Sequence, residues 1–188
     1  MAVTTAQIKK ALAKCEREEM VALVAEIAKA CPQANDFLAV KFAGEDGVAE
    51  ILKKHKQKIR KVFFPKRGTG KPNLREAKKV ISDFAKICPD KALEIDLMLF
   101  YVENCVEFTA EFGDMGETFY DTAYNSAVSV YGQIVKAVNF EGEIMHEKFA
   151  DRLLGVTENI CRDWWGASNA IMELHGELVW GKREEAAG

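Results

Sequence analysis

The sequence predicts an all-α protein of about nine helices, stacked as αα-hairpins that could form a short helical-repeat or solenoid-like arrangement. Apolar residues recur three or four positions apart throughout the chain, as on the buried face of an amphipathic helix. No alternating apolar and polar run is bounded by hairpin turn residues, so strand signals are nearly absent. With 48% apolar and 29% charged residues, the chain has enough apolar surface to form a core.

The helix boundaries follow from capping and breaking residues. Thr4 or Thr5 caps the first helix, and Pro32 occupies the first position of the third, where an N–H would have no helical partner. The segment Gly44–Gly47 breaks the chain before the fourth helix, and Asn73 caps the fifth. The predicted helices span residues 4–14, 18–30, 32–42, 48–63, 74–88, 90–112, 117–138, 143–163 and 167–180.

Two segments of the chain are similar in sequence. Residues Glu26–Pro32 match Asp83–Pro89 in class: acid, apolar, Ala, Lys, apolar, Cys and Pro. Both segments end one predicted helix and place a proline at the start of the next. A repeated αα-hairpin would explain this match. Two unrelated helices that happen to end with the same common residue types would explain it equally well. Both explanations stay open.

The length suits a single domain, which we place at residues 1–180. The clearest loop, residues 65–72, contains proline and glycine and is basic. It could join two lobes, residues 1–64 and 73–180. We expect residues 181–188 to be a disordered tail.

Three features indicate a cytoplasmic protein without a membrane partner. The five cysteines are odd in number, widely spaced and without a C-x-x-C pair, which favours reduced thiols over a disulfide framework. The longest uninterrupted apolar run, Leu97–Val102, is far shorter than the ~20 residues of a membrane span. The N-terminus lacks the apolar region of a signal peptide.

Positive charge is concentrated in one segment. Residues 53–79 contain twelve Lys and Arg but one acid, Glu76, which gives a formal charge of +11. The rest of the chain has 14 basic and 28 acidic residues, a formal charge of −14, so the net charge of −3 hides the asymmetry. On the helix that ends at Phe63, the lysines occupy the arc opposite an apolar face that includes His55 and Ile59.

Three interpretations of this basic segment stay open. A stripe of carboxylates on the sixth predicted helix, Asp96, Glu103 and Glu107, could neutralise it. This stripe would lie against the basic helix or meet Arg75. Alternatively, the segment binds an anionic partner, either nucleic-acid phosphate or an acidic protein surface, including a second copy of this chain. The predicted contact residues for such a partner are Lys53, Lys54, Lys58, Arg60, Lys61, Lys66, Arg67, Lys71 and Arg75.

No motif predicts a nucleotide-hydrolysis centre. The segment Gly68–Lys71, with the sequence GTGK, has the composition of a phosphate-binding loop. However, Pro65 stands where that loop needs its first glycine, and Pro72 stands where it needs Ser or Thr. We therefore expect no catalytic residue here and no cofactor.

One residue pair could belong to a metal site. Glu143 and His146 are three positions apart and share a helix face, as the ligands of helical carboxylate-bridged metal sites do. Such a site needs further ligands from other helices, for which Asp96 and Glu103 are the candidates. An ion-paired or solvated His146 is the alternative, and the sequence favours it.

Three short motifs are distinctive: Lys58–Pro65, with the sequence KIRKVFFP; Asp96–Leu99 with the later Glu103; and Trp165–Gly166 before an apolar helix. On these motifs, and over about residues 15–180, the chain resembles an uncharacterised bacterial family of small helical proteins, classed as a domain of unknown function. The resemblance implies an all-helical fold and a bacterial cytoplasm. The family supplies no activity, so no catalytic residue is carried over.

The sequence thus predicts a non-enzymatic interaction module whose segment 53–79 contacts an anionic macromolecule. Two alternatives stay open. One is a metal-dependent enzyme with a helical Glu/His/Asp site, and the other is a purely structural homo-oligomer such as a dimer.

Overall fold

A computed structural model describes residues 3–68, 70–112, 116–163 and 165–178. These residues form nine α-helices and no strand, which confirms the predicted all-α fold. The predicted tail, residues 181–188, lies outside the described residues. The helices are α1 Thr5–Leu12, α2 Arg17–Ala30, α3 Pro32–Phe42, α4 Gly44–Phe63, α5 Leu74–Ile87, α6 Lys91–Phe112, α7 Glu117–Glu141, α8 Glu143–Asp163 and α9 Trp165–Gly176.

The predicted caps form as expected at two helices. Thr4 and Gln7 make a reciprocal capping box at α1, in which the Gln7 amide donates to Thr4 Oγ1 (3.3 Å) and the Thr4 amide donates to Gln7 Oε1 (2.9 Å). At α5, Asn73 Oδ1 accepts from the Glu76 amide at 3.2 Å. Pro32 is the first residue of α3, as predicted.

Two predicted boundaries are wrong by a few residues. Gly44–Gly47 does not break the chain, because only Ala43 separates α3 from α4 and Gly44, with φ of +67°, already begins α4. Pro89 does not open α6, which begins at Lys91. Asp90 caps that helix instead: its Oδ1 accepts from the Ala92 amide at 2.8 Å, satisfying a backbone donor that a proline cannot.

The two similar segments, Glu26–Pro32 and Asp83–Pro89, share a local structure. Cys31 and Cys88 each cap the C-terminus of a helix in an extended conformation, with φ/ψ of −124°/104° and −116°/114°. The chain therefore leaves α2 and α5 in the same way. The larger helical repeat stays a prediction, since the following helices start at different offsets from the proline.

The chain divides into two compact units, Met1–Ile51 and Leu52–Gly188, and the division falls within α4. In the first unit, α2 packs against α3, and neither α1 nor α2 has a buried residue. The predicted arrangement of one domain with lobes 1–64 and 73–180 stays a prediction.

The second unit is built around α6. This helix packs against α5, α7 and α8, and α9 packs against α7 and α8. The hairpins α6–α7 and α8–α9 are therefore stacked on each other, as predicted. Twelve of the 22 residues of α6 are buried, which explains why it is apolar on most sides rather than on one stripe. None of the described helices is both long enough and apolar enough to cross a bilayer.

Candidate anion-binding surface

The second half of α4 buries the apolar face that the sequence predicts. Ile59 and Phe63 are fully buried, and the His55 ring packs edge-on against Phe84 with 5.3 Å between ring centroids. Phe63 packs against Tyr101 of α6 in the same way. Because these side chains anchor α4 in the core, its lysines are held on the opposite arc.

Part of the basic helix is neutralised by α6. Lys56 Nζ lies 2.7 Å from Asp96 Oδ2. Arg60 forms a two-point ion pair with Glu107, with Nη2 at 2.6 Å from Oε1, and also donates to Asn104 Oδ1 at 2.9 Å. The hydrogen bond to Glu107 raises the pKa of Arg60, and the same bond lowers the pKa of Glu107. Arg60 was predicted to bind an external anion, and its guanidinium is already engaged within the chain.

The third carboxylate of the stripe pairs with a residue that the sequence does not single out. Arg152 of α8 donates from Nε to Glu103 Oε1 at 2.9 Å and forms a second ion pair with Asp96. Burial alone would lower the pKa of Arg152, but the two carboxylates outweigh it and raise that pKa. Asp96 therefore links α4, α6 and α8. The sequence predicts a partner such as Arg152 only indirectly. Two carboxylates seven residues apart on a mostly buried helix need a cation, but their spacing does not say which one.

The other basic residues of the segment divide into two groups. Lys53, Lys54 and Lys58 each interact with groups within the chain, and Lys79 pairs with Asp83. Six others are exposed, and no ion pair to any of them is found in the described residues. We call these six the exposed cation set: Lys61, Lys66, Arg67, Lys71, Arg75 and Lys78. Lys78 is not among the predicted contact residues, although it lies within the basic segment.

Part of the exposed cation set lines a groove between α5 and α7. A cavity of about 370 Å³ is bordered by residues 71–75 and by Thr118, Phe119 and Thr122 of α7. A second cavity, of about 590 Å³, adjoins the first, because Leu74, Arg75 and Thr122 border both. We call the two adjoining cavities together the α5–α7 groove. Its full lining is Lys71, Pro72, Asn73, Leu74, Arg75, Lys78, Thr118, Phe119, Thr122, Asn125, Ser126 and Ser129.

The comparisons with known proteins identify a family. A family model described as "Family of unknown function (DUF6155)" matches residues 3–176. The chain belongs to this family. The resemblance to a helical family of unknown function is thereby confirmed. No curated protein and no solved structure matches the chain. Membership of the DUF6155 family assigns no site residue, and the candidate surface therefore depends on geometry.

The metal-ligand candidates are not gathered into one site. Among the described residues, no group of three or more His, Cys, Asp or Glu side chains is placed to hold a metal ion. Asp96 and Glu103 are both paired with Arg152. Glu143 and His146 lie on the first two turns of α8, where each interacts with other groups of the chain.

A buried polar cluster in this DUF6155 member was not predicted. Tyr131 of α7 has its hydroxyl 2.8 Å from His175 Nδ1 of α9 and 3.1 Å from Thr157 Oγ1 of α8. Burial lowers the pKa of His175 and raises the pKa of Tyr131 to about 12. The cluster joins three helices by hydrogen bonds. The sequence alone does not reveal this cluster, because its three residues lie on separate helices.

Proposed function

We propose that this protein is a non-enzymatic module that binds the phosphate backbone of nucleic acid through the exposed cation set. One observation carries the proposal. Carboxylates of α6 neutralise Lys56 and Arg60, whereas six other cations of the same segment are exposed and without an ion pair in the described residues. Neighbouring like charges repel each other. Bound phosphates would relieve that repulsion and release counterions, which favours binding.

The surroundings of these cations favour nucleic acid over an acidic protein surface. Protein interfaces are stabilised mainly by aromatic and apolar side chains at their centre. In the described residues, every exposed large apolar side chain lies outside residues 53–79. Contacts to phosphate and sugar instead use Lys, Arg, hydroxyl and amide side chains, which are the residue types beside Arg75 and Lys78 in the α5–α7 groove.

Charge-matched variants test the proposal. The binding variant replaces Lys66, Lys71, Arg75 and Lys78 by Gln, and the control variant replaces the exposed Lys10, Lys14, Lys29 and Lys136 by Gln. Both lose four positive charges. Fluorescence anisotropy with a labelled single strand of about 20 nucleotides measures affinity at low salt. We expect the binding variant to lose at least about tenfold in affinity and the control to stay within about twofold of the unmodified protein.

Three results would contradict the proposal. The unmodified protein could fail to bind the oligonucleotide at low salt, or both variants could lose the same affinity, which would reflect net charge alone. Polyglutamate, added at the same concentration of negative charge, could also displace the labelled oligonucleotide as effectively as unlabelled nucleic acid does. That last result would favour an acidic protein as the partner.

Self-association is a second candidate function, favoured by α2. This helix exposes five large apolar side chains and buries no residue, and an exposed apolar cluster is typical of an interaction site. The five are Met20, Val21, Leu23, Val24 and Ile27. Analytical ultracentrifugation tests this candidate. It predicts a dimer that Val21→Glu with Val24→Glu disrupts and Glu18→Ala does not, and a monomer at every concentration measured would contradict it.

A bacterial cytoplasm is the proposed compartment. Cys15, Cys31, Cys88 and Cys105 are free thiols, which is typical of proteins in reducing compartments. Alkylation of thiols during denaturing lysis of the cells, followed by mass spectrometry of the protein, should label every cysteine. A disulfide found in that experiment would contradict the proposal.

A further inference from the structure

We propose that the α5–α7 groove holds one strand of sugar–phosphate backbone, and that the protein therefore binds single-stranded nucleic acid more tightly than duplex. This inference rests on the proposed function and adds the form of nucleic acid that is recognised. It depends on the chemistry of the two groove walls and on the groove's size.

The α5 wall supplies positive charge. Lys71 precedes the helix, and its Nζ lies 5.8 Å from the centroid of the Phe119 ring on the opposite wall. Arg75 and Lys78 are three residues apart, so they share a helix face and are separated by about 4.5 Å along the axis. The first residues of α5, including the capping Asn73, also border the groove. Backbone N–H groups at a helix start favour an anion beside those cations.

The α7 wall supplies neutral hydrogen-bonding groups in a row. Thr118, Thr122, Asn125 and Ser129 are spaced by four, three and four residues and therefore lie on one face of the helix. Together they extend over about 16 Å of the α7 axis. All four are exposed. The Thr122 hydroxyl donates to the Thr118 carbonyl at 2.8 Å, whereas the side chains of Asn125 and Ser129 form no hydrogen bond within the described residues. The donors of Asn125 and Ser129 are thus available to a ligand, and the Thr122 oxygen can accept a hydrogen bond from a sugar hydroxyl.

Among the described residues, none that borders the two cavities of the groove is acidic. By contrast, a cavity of about 210 Å³ between α4 and α5 has Glu76 and Asp83 beside Lys58 and Lys79. Of these two spaces, the α5–α7 groove is the one that suits a chain of phosphates.

The size of the groove favours one strand. Its cavities of about 370 and 590 Å³ lie between α5 and α7, two helices that each pack against α6. A B-form duplex, whose major groove alone is about 12 Å wide, is too bulky to enter spaces of that volume. A single strand can enter and place its phosphates along the cations and its sugars along the hydroxyl row.

Neutral substitutions on α7 test the groove without changing charge. The groove variant carries Thr122→Ala, Asn125→Ala and Ser129→Ala, and its control carries Thr5→Ala, Asn35→Ala and Asn169→Ala, which are exposed on other helices. Anisotropy is measured with a labelled single strand, the matching duplex and a 5′-mononucleotide as competitor. Circular dichroism verifies that both variants are folded.

The expected result has three parts. The unmodified protein binds the single strand at least about tenfold more tightly than the duplex, and the groove variant loses about fivefold to tenfold for the single strand while its duplex affinity is unchanged. The control variant binds as the unmodified protein does, and the mononucleotide competes only at concentrations far above that of the strand.

Different outcomes separate the groove inference from the proposed function. If the groove variant binds the single strand normally while the Lys/Arg-to-Gln variant does not, the groove inference is wrong and the proposed function stands. Equal affinity for strand and duplex, or displacement by an equal concentration of mononucleotide, would also overturn it. If the unmodified protein binds neither nucleic acid, the proposed function itself fails.

Discussion

Arg152 is the cation on which two carboxylates of α6 depend. Its side chain is 34% exposed and that of Asp96 is 17% exposed, so both are partly withdrawn from water. Without the guanidinium, Asp96 and Glu103 would repel each other, and among the described ion pairs Lys56 would remain as the partner of Asp96. Losing one partner of a buried ion pair costs about 3–5 kcal/mol, and partial exposure reduces that cost.

Replacing Arg152 by Met should therefore lower the free energy of unfolding by about 2 kcal/mol. Urea denaturation followed by circular dichroism measures the change, and Lys136→Met, at an exposed lysine, is the control. A triple variant that also carries Asp96→Asn and Glu103→Gln should recover part of the loss, because the repelling charges are then removed. A change of less than about 0.5 kcal/mol for Arg152→Met would show that the ion pairs are not needed for stability.

His175 should make the stability of the protein depend on pH. Burial lowers the pKa of His175 from its ordinary 6.5, so the folded state holds the neutral ring against the Tyr131 hydroxyl. The unfolded chain binds a proton more readily, and stability is therefore complete above about pH 6.5 and decreases as pH falls below it. Tyr131, with a pKa of about 12, does not titrate in this range.

Urea midpoints measured at about pH 7.5 and about pH 5.5 test this prediction. The unmodified protein should be less stable at the lower pH, and His175→Gln should lose part of that difference. His55 and His146 are retained in the variant, so the comparison isolates His175. An identical pH dependence in both proteins would contradict the assignment.

At the scale of elements, the start of α5 has both a structural and a proposed binding role. Asn73 caps the helix through the Glu76 amide and also borders the groove. Asn73→Ala should reduce stability by about 1 kcal/mol, the usual cost of a lost cap. Asn73→Asp keeps a capping oxygen but adds a negative charge beside Lys71 and Arg75.

The two Asn73 variants should therefore separate stability from binding. Thermal denaturation should show that Asn73→Asp is as stable as the unmodified protein, while anisotropy shows a weaker affinity for the single strand. If Asn73→Asp binds normally, phosphate does not approach the start of α5.

The pairing of α4 with α6 predicts that substituting Arg60 lowers stability and leaves binding unchanged, the opposite of what is expected for Asn73→Asp. Because the guanidinium is engaged by Glu107 and Asn104, Arg60→Gln should cost about 1 kcal/mol of stability and change nucleic-acid affinity by less than about twofold. Urea denaturation and anisotropy on the same preparation measure both effects. A large loss of affinity without a loss of stability would place Arg60 on the binding surface after all.

For the whole molecule, local signals predicted the helices well. Caps such as Thr4 and Asn73, and the proline at the start of α3, act through backbone groups only a few residues away. The errors at Gly44 and Pro89 arose where two neighbouring residues compete to start a helix. In each case the local sequence predicts that one helix ends and the next begins, but it does not predict the residue at which this happens.

The site was less predictable because it depends on packing. The sequence indicated that Asp96, Glu103 and Glu107 could neutralise the basic helix. Asp96 and Glu107 do so at Lys56 and Arg60, whereas Glu103 pairs with Arg152 of α8. The sequence did not indicate Arg152, which is 49 residues from Glu103. The α5–α7 groove was not predicted either. Hydroxyl side chains on one face of α7 indicate a binding surface only when α5 is known to lie beside them.

The salt dependence of binding reports how many cations of the exposed cation set contact phosphate. Affinity for a labelled single strand is measured by anisotropy over a series of salt concentrations. If about six cations contact phosphates, the logarithm of the binding constant should fall with the logarithm of salt concentration with a slope of about −4. The variant lacking Lys66, Lys71, Arg75 and Lys78 should give a slope of about −1. A slope near zero, or the same slope for both proteins, would contradict the account.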